Sequence, residues 1–136
     1  MCYNYVQASG DIMSRIKIKA TLQNLSSDEV YSIDIIGIKI DDKIKYIDNE
    51  INVILCIKED EFIIERKCKE YHLTLHLSLN NMTKGNYEIY SLGIIDLDIT
   101  TNKLIINENK IETNYILDFG NNEKSEFEFI IELEEL

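Results

Sequence analysis

Residues 71–79 read YHLTLHLSL, in which every second residue is leucine. In an extended chain Leu73, Leu75, Leu77 and Leu79 share one face, and His72, Thr74, His76 and Ser78 share the other. A helix, turning once every ~3.6 residues, would scatter these leucines around its circumference. The stretch is therefore a half-buried β-strand, and the unbroken leucine face is the side that belongs in a core. Both histidines of the chain lie on the opposite face.

The same alternation runs outward from this strand. Residues 15–23, RIKIKATLQ, set Ile16, Ile18, Ala20 and Leu22 against Arg15, Lys17, Lys19, Thr21 and Gln23. Residues 51–58, INVILCIK, align Ile51, Val53, Leu55 and Ile57. Residues 92–100, LGIIDLDIT, align Gly93, Ile95, Leu97 and Ile99 against Ile94, Asp96, Asp98 and Thr100. The C-terminal run 126–134, EFEFIIELE, sets Phe127, Phe129, Ile131 and Leu133 against mostly glutamates. β-Branched isoleucine recurs throughout, as strands favour, and no segment carries a helical period. Polar turn signals separate these runs: LSSDE at 25–29, DDK at 41–43, NNMTKGN at 80–86 and GNNEKS at 120–125. Short strands joined by tight turns form an antiparallel meander. The sequence thus predicts an all-β fold of about 8-10 strands, whose natural closure is a barrel or a sandwich. Its domain is expected over residues 14–136, after a partly irregular N-terminal segment, residues 1–13.

Two local features carry geometric expectations. In VYSIDIIGIKI, residues 30–40, Ile33 and Ile35 have one parity while Ile36, Ile38 and Ile40 have the other. A strand changes faces only through an extra residue, which predicts a bulge or bend between Ile35 and Gly37. Across GNNEKS, pairing Phe119 with Phe127, Leu117 with Phe129 and Tyr115 with Ile131 keeps all six on one face. That register would set Ile116 beside Ile130 on the outer surface, an apolar patch suited to a second subunit.

Length, charge and cysteines bound the function. A chain of 136 residues fits one domain with a single core, and 45% apolar residues exclude wholesale disorder. The longest apolar runs are short pieces such as IIGI, far below the roughly 18 residues of a membrane helix. The segment MCYNYVQASGDIM lacks the basic and apolar parts of a secretory signal. Cys2, Cys56 and Cys68 are odd in number and share no close spacing, which points to a reducing compartment, the cytoplasm, and to no zinc motif. With 25 acidic and 14 basic residues the net charge is −11, which repels phosphate backbones and anionic membrane surfaces. The basic groups Arg15, Lys17, Lys19 and Arg66, Lys67, Lys69 are not interleaved with aromatics that could stack bases. Neither nucleic acid nor membrane is an expected partner.

The order of elements resembles the YwiB-like bacterial family of unknown function over residues 15–135. The resemblance is most specific in YEIYSLGIIDLDITTNKL, residues 87–104, where Gly93, Leu97, Thr100 and Leu104 match the family's glycine turn and following strand. TNYILDF, residues 113–119, places Tyr115 at the family's tyrosine, and GIKIDDKIKYID, residues 37–48, adds support. Ser91 and Leu92 stand where the family carries a proline, and the connection after Tyr46 is short; both differences fall on the rim. The resemblance implies a calycin-like, lipocalin-like barrel and carries no known activity.

Candidate sites are few. Four strand residues span about 13 Å, whereas ligands of one zinc lie roughly 2 Å from it. His72 and His76 therefore cannot share a metal as strand neighbours, and form a polar face turned to water or to a cavity. Asp96 and Asp98 share a strand face about 7 Å apart, without the apolar setting that would raise one pKa for acid–base work. If EDE at 59–61 is a turn, Cys56 faces Ile63 and Cys68 lies near Ile51, which excludes a disulfide between them and leaves core packing as their role. Arg66 follows the apolar run FIIE, and is either a surface residue or a cation turned inward to meet an anion. Tyr87, Tyr90, Tyr115, Phe119, Phe127 and Phe129 cluster in the C-terminal half, where a barrel leaving space between them would hold a small ligand.

No motif joins nucleophile, base and oxyanion donors, so an enzyme ranks third and no catalytic residue, metal or cofactor is assigned. The leading expectation is a non-enzymatic barrel binding a small apolar or amphipathic molecule, with Arg66, Tyr87, Tyr90, Tyr115, Phe119 and Phe129 as its walls. The alternative is a filled barrel serving as an interaction or homodimerisation module. The two differ in whether the interior is packed or hollow.

Overall fold

The chain has no proline and only five glycines, so most of its left-handed turn positions fall to other residues. Asn49–Glu50 and Asn121–Asn122 each place two successive residues at positive φ, at 49° and 68° and at 54° and 64°. This is the type I′ geometry, whose twist matches that of the strands it joins. Asp28, Asp41 and Asn80 supply single left-handed positions in three other turns. Asparagine and aspartate tolerate this region because their short side chains bond locally to the backbone.

The structure, a computed structural model, describes residues 13–136. Ten strands lie among them: β1 (Met13–Asn24), β2 (Glu29–Ile40), β3 (Lys43–Asp48), β4 (Ile51–Ile57), β5 (Glu61–Lys67), β6 (Tyr71–Ser78), β7 (Met82–Ile89), β8 (Gly93–Ile106), β9 (Lys110–Gly120) and β10 (Glu123–Glu135). Each pairs antiparallel with the next, and β1 pairs with β10 to close the barrel. The all-β meander barrel expected from the alternation is thus observed. The expected irregular segment at residues 1–13 lies outside the described residues except for Met13, which begins β1.

In this meander the β1–β2, β3–β4, β5–β6, β7–β8 and β9–β10 turns gather at one rim, and the other turns gather at the opposite rim. Near the second rim the interior is solid. Ile16, Ile18, Ile44, Leu55, Phe62, Leu77, Ile99, Ile111 and Ile131 meet there, none more than 1% exposed. Leu73, Leu75 and Leu77 point inward from β6, as their unbroken face requires.

Three expectations are corrected. β2 carries no bulge at Ile35–Gly37, since it pairs with β1 without a break from Met13↔Ile40 to Asn24↔Glu29. Ile36 and Ile38 stay on the outer face and are exposed, so the change of apolar phase marks apolar surface rather than a turned backbone. The register breaks lie elsewhere, between Thr101 and Lys103 and between Glu123 and Lys124. In the last hairpin Tyr115 faces Phe127, Thr113 faces Phe129 and Ile111 faces Ile131. The tight Asn121–Asn122 turn and the adjoining bulge set this register, which keeps the expected face but separates Ile116 from Ile130. Finally, the turn before β7 ends at Asn81, and MTKGN is strand.

The seam between β2 and β3 is the thinnest in the barrel. Only Ile38↔Lys45, Lys39↔Ile44 and Ile40↔Lys43 join them. Gly37 sits just past the last pair. A Cβ built there would lie 2.5 Å from the Lys45 carbonyl oxygen and 2.8 Å from Ile18 Cδ1, so the approach of the two strands requires glycine.

Candidate ligand pocket at the open rim

The rim formed by the β1–β2, β3–β4, β5–β6, β7–β8 and β9–β10 turns surrounds a hollow. Alternation along β2, β3 and β5 brings Tyr31, Asp48 and Arg66 inward with their apolar neighbours Ile33, Tyr46 and Ile64. With Ala20, Leu22, Val53, Leu73, Leu75, Tyr115, Leu117, Phe127 and Phe129 these residues line a cavity of about 200 Å³. The wall is mainly aliphatic and aromatic. Tyr115 and Phe127 stack with ring centroids 5.4 Å apart, forming one side.

The polar groups are few. Beyond Ile38↔Lys45 no backbone pair joins β2 to β3, and side chains bridge them instead. The Tyr31 hydroxyl lies 2.8 Å from both carboxylate oxygens of Asp48, to which it donates. Asp48 is 6% exposed, so this bond answers a carboxylate withdrawn from water. Donating to Asp48 holds the Tyr31 hydroxyl above the ordinary phenol range, with partial desolvation adding to it. Burial pushes Tyr46 up to about 12 and raises Tyr115 further, while the Arg66 guanidinium pulls both back. The phenols therefore stay protonated and can donate. No ion pair or hydrogen bond reaches Arg66 among the described residues.

Of the six expected wall residues, Arg66, Tyr115 and Phe129 line this cavity. Tyr87 instead packs edge-on against Tyr71, with ring centroids 5.7 Å apart. Phe119 packs partly buried against the core, and Tyr90 is exposed in the β7–β8 turn. His72 and His76 lie on the outer face. His72 Nε2 is 2.6 Å from Glu65 Oε2, and His76 meets Glu61 across the β5–β6 ladder. The hydrogen bond from His76 holds the Glu61 carboxyl below the usual glutamate range. Asp98, also outside, pairs with Lys84. Cys56 faces Ile63, as the EDE turn implied, and Cys68 is a free thiol. Cys56 is buried but disulfide-bonded, not the packed thiol expected.

Sequence reasoning did not single out Asp48 or Tyr31. The signal lay in parity: KIKYID puts Asp48 in phase with Ile44 and Tyr46, and Tyr31 is in phase with Ile33 and Ile35. FIIER likewise puts Arg66 in phase with Phe62 and Ile64.

These features define a closed ten-stranded antiparallel barrel, packed solid at one rim and hollow at the other, with no helix among the described residues long and apolar enough to cross a membrane. Among solved structures, the chain is similar to the crystal structure of the ywiB protein from Bacillus subtilis. The TM-score is 0.59 at 14% sequence identity, over 90% of this chain and 92% of that one. The YwiB-like resemblance read from the sequence is thus found in the fold, and at this identity it speaks of the fold alone. No protein-family model matches the chain, and no curated protein matches it in sequence.

Proposed function

We propose that the protein is a non-enzymatic binding barrel for a small amphipathic molecule, held at the open rim. The observation that carries this reading is the cavity of about 200 Å³, mainly apolar in its walls, with Tyr31, Asp48 and Arg66 among its lining residues. At a liquid-water share of about 30 Å³ per molecule, that space suits a ligand of roughly seven to ten heavy atoms. A few polar groups on an apolar wall are the usual make-up of a small-molecule site. The calycin-like character implied by the sequence resemblance agrees with such a role.

An NMR screen of neutral and charged fragments of this size tests the proposal. Hits are expected to shift the amides of Leu73, Leu75, Tyr115 and Phe129. Ala20→Leu, which fills part of the hollow from its smallest wall residue, is expected to abolish those shifts. A folded protein whose pocket amides respond to no fragment refutes the reading.

The alternative role as an interaction module draws support from a different feature. Ile36, Ile38 and Ile47 are 52%, 39% and 62% exposed on the outer face beside the β2–β3 seam. Apolar side chains grouped in this way suit a protein partner or a second copy of the chain. A bacterial, cytoplasmic setting remains part of the proposal through the resemblance alone. The disulfide at Cys56 weighs against a reducing compartment.

A further inference from the structure

We infer that the pocket takes a small monocarboxylate, its carboxylate on the Arg66 guanidinium and its short apolar body among Leu73, Leu75, Leu117 and Phe129. This inference rests on the binding reading above and specifies the ligand's chemistry.

Charge balance in the cavity is the first argument. Two charged side chains line it. Asp48 is answered by the Tyr31 hydroxyl. Arg66 has no ion-pair or hydrogen-bond partner among the described residues, although 25 acidic residues occur in the chain. Lys39, the other inward cation, has Glu135 at the solid rim. A half-buried guanidinium with five donors and no acceptor leaves a desolvation cost that an anionic ligand would offset.

The surrounding donors point the same way. Tyr46 and Tyr115 line the same cavity, and both feel the Arg66 charge. Neither hydroxyl has a hydrogen-bond partner among the described residues. Held protonated by burial, they are donors available to a second ligand oxygen.

The ligand's charge is limited from the other side. Asp48 shares the pocket and the whole chain carries −11, so a second negative charge on the ligand would be repelled. One guanidinium matches one carboxylate in a fork of two parallel bonds. A cation would lose the contest for Asp48 to Tyr31 and would meet Arg66 as a like charge.

Three probes with the same apolar body separate the possibilities: hexanoate, hexan-1-ol and hexylamine, titrated against the full chain by NMR. Hexanoate is expected to bind at least tenfold tighter than hexan-1-ol, with hexylamine weakest. Arg66→Gln, which keeps a polar side chain of similar reach, is expected to bring hexanoate down to the alcohol's affinity. Arg15→Gln, removing the other arginine from the outer face, should leave the order unchanged. Equal binding of hexanoate and hexan-1-ol at the pocket, or retention of the hexanoate preference in folded Arg66→Gln, overturns the carboxylate inference while leaving a binding barrel. Tighter binding of hexylamine overturns it in favour of Asp48 as the anchor. If none of the three moves the pocket amides, the inference and the binding reading fall together.

Discussion

Replacing Gly37 by alanine tests whether the barrel closes by close backbone approach at the β2–β3 seam. The added Cβ would lie 2.5 Å from the Lys45 carbonyl oxygen, whereas real Cβ contacts essentially never fall under 3.0 Å. The obstructing atom is backbone, so no rotamer change relieves it, and Tyr46 Cβ at 3.1 Å blocks the nearest retreat. The strands must part by about half an ångström, the difference between those two distances. The adjoining pairs Ile38↔Lys45 and Lys39↔Ile44 are two of only three across the seam. Stretching hydrogen bonds of about 2.9 Å by that amount takes them to the edge of useful geometry. Losing two at about 1 kcal/mol each, with some strain left in the core, gives an expected cost of about 2–3 kcal/mol. For a domain of this size that corresponds to a fall of roughly 8–12 °C in Tm.

Urea unfolding followed by tyrosine fluorescence measures this directly, with calorimetry for Tm. Gly93→Ala is the control. Gly93 has a φ of +122° but no atom within 4 Å of the built Cβ, so it carries only the conformational penalty of about 1 kcal/mol. Gly37 does not have a positive φ. A Gly37→Ala protein within 0.5 kcal/mol of the wild type, or one more stable than Gly93→Ala, would refute the argument that steric approach sets the need for glycine there.

The two rims should also respond differently to truncation. Phe62→Ala empties the fully buried solid end and is expected to cost about 3–5 kcal/mol. Phe127→Ala enlarges an existing hollow and should cost less than half as much in the same urea assay. At the outer face, Glu61 is held below its ordinary pKa by the His76 hydrogen bond. A group lowered on folding contributes stability above its unfolded pKa and loses it as pH falls through the folded value. In a carbon-detected NMR titration Glu61 should therefore titrate below an ordinary glutamate, and His76→Gln should return it to that range.

Strand identity was legible because inward and outward residues alternate with a period set by covalent geometry, independent of neighbours. The leucine face of β6 and the isoleucine face of β1 both point inward for that reason. Register was harder to read, because it depends on turns whose length the apolar pattern does not specify. GNNEKS can be crossed with a two-residue turn or a longer loop while keeping the same face, and the Asn121–Asn122 turn selects between them. The β2 expectation failed for a related reason. Parity cannot distinguish a strand that changes face from one whose outer surface is apolar, and Ile36 and Ile38 are the second case. Asp48 and Tyr31 show the reverse error of weighting residue type over phase, which Arg66 escaped. A charged residue favours the surface on composition, but in FIIER and KIKYID the phase of the strand places it inside.

The same phase rule explains why one barrel can be both stable and hollow. Along the strands that carry the pocket's polar groups, the fully buried apolar residues lie towards the solid rim and Tyr31, Asp48 and Arg66 lie towards the other. Ile44 precedes Asp48 along β3, Phe62 precedes Arg66 along β5, and Ile35 follows Tyr31 along β2. Because neighbouring strands run in opposite directions, these opposite orders along the chain bring all three polar groups to the same rim. Stability then rests on nine fully buried aliphatic and aromatic side chains that no ligand needs to touch. The open rim is free to keep an unsatisfied cation, whose cost the solid end absorbs. On the proposed reading, the acidic exterior adds selectivity of its own. At about 0.1 M salt the screening length is about 10 Å, so an approaching anion feels the −11 shell well before it feels Arg66. Polyanions are turned away at that distance. A monoanion with an apolar body loses less to the shell and gains from burial once inside, which makes the apolar wall and the single guanidinium a joint requirement for entry.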